Sequence, residues 1–161
     1  MKIARCALAA ALLAGCTSPA SPRTPETSAP PADRCAAPVA AGTLPVWART
    51  GFSGDAPSAP HVLGENGDIV AILFGHPLRQ PPDEGRSNKI LWVSRAPVDG
   101  TPLRIEARHE ATGRTARQEV QGGPGPSIVD LPAPGCWTVT LTWAGHRDTM
   151  ALRYLGATGD R

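Results

Sequence analysis

Four histidines, His61, His76, His109 and His146, are the side chains best suited to metal binding or acid–base work in this chain. Their spacings match no HExxH, HxH or CxxC…H pattern, so any site they form must be assembled by the fold. His109 follows Ala107 on the inward side of a strand pattern and reads as a core histidine with its ring bonds satisfied. His76, beside Pro77, and His61, ahead of a hairpin strand, read as solvated loop histidines. They are also the candidates for a loop-built binding or metal site. A nucleophile is harder to find. Ser53, in Gly51-Phe52-Ser53-Gly54, lacks the G-x-S-x-G elbow, and Ser87 stands too close to Lys89 for a Ser-x-x-Lys pair. The Gly/Pro run at 122–126 offers few N–H donors and no helix follows it, so it is no phosphate cradle. No carboxylate pair stands at telling positions. The balance is against an enzyme, and no cofactor is implied. Trp47, near a flexible loop, is the candidate exposed aromatic contact, whereas Trp92, Trp137 and Trp143 fall in strands and belong to a core.

The elements that would position these groups are short strands. No sustained helical period runs through 35–161, while alternating apolar runs bounded by Gly and Pro recur. Residues 44–49 read as a first edge strand, because Pro45 removes a ladder donor. Residues 51–60 are a loop. Asn66-Gly67, after a strand at 61–63, is the favoured type I′ hairpin pair. Residues 69–74 are almost wholly apolar, the mark of a central strand covered on both faces. Residues 75–88 form a polar loop broken by proline, long enough to suggest function. Strands follow at 89–95, with Ile90, Trp92 and Ser94 on one face, and at 103–109, where Leu103, Ile105 and Ala107 alternate with charged residues. A weak edge strand covers 115–120 and a short one 127–131. Trp137, Val139, Leu141 and Trp143 share one face of 136–143, with Cys136 and three threonines on the other. Met150, Leu152 and Tyr154 alternate in the last strand. The pattern predicts an all-β fold, an immunoglobulin-like antiparallel β-sandwich of about seven to nine strands, with a small barrel as the alternative.

The first sixteen residues have another character. Lys2 and Arg5 precede an apolar run at 7–14, too short to cross a bilayer as a helix, and Gly15 is a small residue before a cut. Leu13-Ala14-Gly15-Cys16 resembles the bacterial lipobox. That resemblance implies a lipoprotein signal peptide at 1–15, diacylglycerol on the Cys16 thiol and an extracytoplasmic domain anchored to the cell membrane by lipid. Two or three acyl chains anchor stably where one does not, at ~0.8 kcal/mol per buried methylene. Removing Lys2 and Arg5 from 16 basic side chains leaves 14, equal to the 14 acidic ones. A neutral mature chain lacks the basic footprint of a nucleic-acid binder. Contact with the membrane would then run through the lipid on Cys16, with an envelope protein or wall component as a further partner.

Cys6 leaves with the signal, so Cys35 and Cys136 remain in an oxidising compartment, where a single disulfide is the economical pairing. Two free thiols or a two-cysteine metal site are the other readings. Residues 16–34 hold the lipidated Cys16 and a linker of Pro, Ser, Thr and Ala that cannot bury enough surface to order itself. The β domain occupies 35–161, enough chain for one core. Residues 131–139 resemble the turn into a strand of bacterial Ig-like modules, with Trp137 where those modules commonly carry a tyrosine. Leu44-Pro45-Val46-Trp47-Ala48, Asn88-Lys89-Ile90-Leu91-Trp92-Val93 and Pro134-Gly135-Cys136-Trp137 are similar to landmarks of small lipoproteins of high-GC Gram-positive bacteria, a group that brings no activity with it. The functional expectation is a membrane-anchored surface lipoprotein, a non-enzymatic binding or accessory module. It would use the loops at 51–60 and 75–88 and the side chains of Trp47, His61 and His76. The alternative is a metal-binding or hydrolytic protein built on the loop histidines.

Overall fold

Short runs of alternating and β-branched residues, punctuated by glycine, fold into eight strands. The structure, a computed structural model, describes residues 34–36 and 39–157; the signal, Cys16 and the linker up to residue 33 lie outside them. The strands are β1 (His61–Leu63), β2 (Ile69–Leu73), β3 (Lys89–Ser94), β4 (Leu103–His109), β5 (Thr115–Val120), β6 (Pro126–Ile128), β7 (Gly135–Trp143) and β8 (His146–Tyr154). They form two four-stranded sheets, ordered β1-β2-β3-β6 and β5-β4-β7-β8, with every pairing antiparallel. Three connections, β3–β4, β5–β6 and β6–β7, cross from one sheet to the other. Two separate sheets enclosing one core make a sandwich, and exclude the barrel.

Inward positions of both sheets supply that core. Trp92 of β3, Ile105 of β4, Trp137, Leu141 and Trp143 of β7, and Leu152 and Tyr154 of β8 all lie in one buried cluster. The alternation read from the sequence holds on β4 and β7, where every second residue is buried. The β7–β8 hairpin turns on two residues, Ala144 and Gly145, both with positive φ (43° and 78°). That is the twist a two-residue hairpin loop needs. At the start of β7 the Trp137 indole N–H donates to Ala133 O at 3.0 Å, a bond from an aromatic back to the chain just before its strand.

All five residues of β2 are buried, as an apolar run covered on both faces requires. Its inner face meets the sandwich core. Its outer face, Val70 and Ile72, is covered by Leu44 and Ala48 from the segment 39–60, which lies over the first sheet as a strap. Here the structure corrects the expected edge strand at 44–49. Val46–Ala48 is a single 3-10 turn that Pro45 opens, and the Ala48 N–H donates to Pro45 O. The turn buries Leu44 and Ala48 while Val46 between them stands exposed, whereas an extended chain would put all three on one face.

The turn between β1 and β2 also differs from expectation. Gly67 has positive φ and Asn66 does not, so the pair does not make a type I′ turn. The turn is held from outside instead. The buried Asp148 carboxylate of β8 accepts the N–H groups of Asn66, Asp68 and Thr149 at 2.9, 3.0 and 2.7 Å. Gly64 must be glycine here, because a Cβ would lie 2.1 Å from Asp148 Oδ2.

Candidate functional site

The histidines are dispersed. His109, inward on β4, donates from Nε2 to Pro134 O (2.9 Å), accepts the Thr112 N–H at Nδ1 (3.2 Å) and meets Trp137 edge to face. Both ring nitrogens are used, as expected of a core histidine. His61 corrects the reading of a solvated loop residue. It opens β1, is 9% exposed, and its Nδ1–H donates to Ala59 O beneath the strap. Its partner across the ladder is Ile72, whose side chain faces the strap, so alternation points His61 the same way. His76 is exposed in the long loop, where its carbonyl accepts from Arg86. His146 is exposed at the β7–β8 turn with its ring against Trp143. Asp99, facing His146, is held below the usual carboxylate range, first by the Thr101 hydroxyl and then by the Thr101 N–H, both of which donate to it.

Among the described residues no three of His, Cys, Asp and Glu are grouped to hold a metal ion. No histidine ring there is hydrogen-bonded to a hydroxyl or thiol. Cys35 and Cys136 form a disulfide across 101 residues, with Cα atoms 5.7 Å apart. Cys136 lies on the threonine side of β7, outside the tryptophan core. The bond therefore fixes the beginning of the domain to the beginning of that strand.

The loop at 75–88 is tied to the sheets at both of its ends. Leu78 is buried in the core, and the Asn88 side chain accepts the Arg79 N–H while donating to Arg79 O and to Asp130. Leu155 N–H donates to Leu78 O, and Gln80 N–H to Leu155 O. The segment is sutured to the end of β8 at one side and to β3 at the other.

What the two loops do share is a contact. Phe52, from 51–60, stacks on Phe74 at the head of the long connection with ring centroids 6.2 Å apart, and Lys89 Nζ lies 5.7 Å from the centre of the Phe74 ring. Phe74 follows the inward Leu73 and so points outward. Lys89 stands opposite Ile128 in the β3–β6 ladder, on the same outward side. Half-buried Trp47 and Phe52 pack against the strap's own cluster, with Leu91 and Val93 of β3 beside them.

The two outer sides of the sandwich therefore differ in chemistry. On the first sheet and its strap, Val46 is 76% exposed, Leu63 46%, Phe74 52% and Ile128 53%, four of the six exposed large apolar residues among those described. The strands of the second sheet contribute none. Their outward positions carry Arg104, Glu106 and Arg108 on β4 and Thr138, Thr140 and Thr142 on β7, with Arg104–Glu119 and Arg117–Glu106 ion pairs across to β5. The sequence offers Trp47 as an exposed aromatic, and here it is half-buried against the strap cluster; this apolar side carries no such signal. Phe74 ends an apolar run expected to be covered on both faces, but β2 stops at Leu73 and Phe74 is exposed; Ile128 sits in a strand too short to show its parity. A separate groove of about 360 Å³ runs beside β8, lined by Val62, Leu63 and Met150 among others.

Comparison with known proteins brings no counterpart: no family model matches the chain, and neither a curated protein nor a solved structure matches it.

Proposed function

We propose that the protein is a lipid-tethered surface lipoprotein of the bacterial cell envelope, held to the extracytoplasmic face of the membrane through Cys16. Its sandwich is immunoglobulin-like and serves as a non-enzymatic binding or accessory module. The tether rests on the lipobox resemblance of Leu13-Ala14-Gly15-Cys16. The immunoglobulin-like reading is supported by the three crossings between sheets and by the Trp137 bond at the start of β7. The contact surface is the strap side of the first sheet.

One observation carries the assignment of that surface. The strap covers Val70 and Ile72 but leaves Phe74 and Ile128 half exposed around Lys89, on a domain whose other broad side is charged. Monomeric proteins rarely leave such residues grouped unless something meets them.

A photoreactive residue placed at position 74 or at position 117 of the exported chain in intact cells tests the reading. Discrete adducts, to lipid or to protein, are expected from position 74 and not from position 117, on the charged side. Equal or absent capture at the two positions would remove the strap side as the contact surface.

A further inference from the structure

We infer that the strap side lies against the bilayer itself, so that the tethered sandwich rests on the membrane surface by its apolar side; this rests on the lipid-tether reading above. The sandwich is amphipathic at the scale of a whole domain. Val46, Leu63, Phe74 and Ile128 stand between 46% and 76% exposed on one broad side, while arginine, glutamate and threonine cover the other. An interfacial element needs this division, an apolar surface on one side and a charged one opposite.

Two further features fit a bilayer. Lys89 is the single lysine after Cys16, and it lies opposite Ile128 on the apolar side with its ammonium over the Phe74 ring. A lysine stem can lie along apolar surface while its head reaches the phosphates or water. Half-buried Trp47 sits on the same side, and tryptophan favours the interface between water and acyl chain.

The reach of the chain supplies the other half of the case. Between the lipid-bearing Cys16 and Arg34 stand the residues 17–33. Fully extended they span at most about 60 Å. The domain can never leave the neighbourhood of the surface, so a weak apolar contact suffices to hold it down. The mature chain is neutral, so the contact would depend on apolar area and hardly on anionic headgroups.

The full lipidated chain in phosphatidylcholine vesicles whose acyl chains carry bromine tests this directly. Trp92, Trp137 and Trp143 are fully buried, which leaves Trp47 as the tryptophan that contact quenching can reach. Quenching of tryptophan fluorescence is expected, and to the same extent when phosphatidylglycerol is added. A Val46→Ser, Phe74→Ser, Ile128→Ser variant should lower the docked-to-free ratio at least about tenfold, from the apolar area it withdraws. Arg117→Ala should leave the ratio unchanged. An unaltered near-UV dichroism of the buried tryptophans shows that the variants fold.

Absent quenching, quenching that survives the triple variant, or quenching that needs anionic lipid would each overturn the docking. If quenching is absent while position 74 captures a protein in cells, the contact surface stands and the bilayer is not its occupant. If both fail, the strap side is not a contact surface at all.

Discussion

Tyr154 is the chain's single tyrosine, and it ends β8 with its ring in the core. Its hydroxyl donates to Val129 O at 2.7 Å, tying the last strand to the segment after β6. Burial, and to a lesser degree the Asp130 carboxylate, pushes its pKa well above the ordinary tyrosine value of about 10. A raised value in the folded state means that the folded chain holds the proton where the unfolded chain has released it. The contribution to stability is thus complete below about pH 10 and is lost as pH rises further. With one tyrosine, the absorbance of tyrosinate reports this residue alone. It is expected to stay flat past pH 10 and to rise only together with the loss of near-UV dichroism. Tyr154→Phe should cost about 1 kcal/mol at neutral pH, for the hydrogen bond, and make the alkaline fall in stability shallower. Tyrosinate appearing near pH 10 with the fold intact would contradict the assignment.

Between elements, much of the architecture could be read in advance, because alternation reports directly on faces. The inward sets of β3, β4 and β7 follow from side-chain period, and the double burial of β2 from an apolar run that has none. The strap differs from the expected strand because a proline beside apolar residues fits an edge strand and a 3-10 turn equally well at six residues' length. The burial of His61 has a related cause, since nothing local shows that a distant segment will cover it. Asp148 does carry a signal in the sequence. It continues the inward series Met150, Leu152 and Tyr154, where a carboxylate needs partners. Those partners are three backbone N–H groups, two of them in the β1–β2 turn of the other sheet. Asp148→Ala would leave these donors without an acceptor and is expected to lower unfolding free energy by about 2–3 kcal/mol. Asp148→Asn, which keeps one acceptor oxygen, should lose less. Urea titration measures both, and an Asp148→Ala midpoint equal to that of the parent would mean that water replaces the carboxylate without loss.

For the whole molecule, the exposed apolar side could not be read from the sequence, because it is made by what the strap fails to cover. Coverage depends on where residues 39–60 lie, and no period along the chain encodes that. The cysteine pairing is more accessible, since the proposed export sets aside Cys6 and Cys16 and would leave two thiols in an oxidising compartment. The Cys35–Cys136 bond closes 101 residues, which includes every strand except β7 and β8. In the chain-entropy model, restricting an unfolded loop of that length contributes about 4–5 kcal/mol. The bond lies outside the tryptophan core, so its removal should leave the packing of the two sheets in place and act mainly on the unfolded chain. Cys35→Ser, Cys136→Ser and the double variant are therefore expected to lose nearly the same stability, because each removes the same single bond. All three should keep the near-UV dichroism of the parent at low denaturant. Stability that adds across the two single variants would show that each cysteine contributes through its own packing, and an unchanged midpoint in all three would show that the protein carries two thiols.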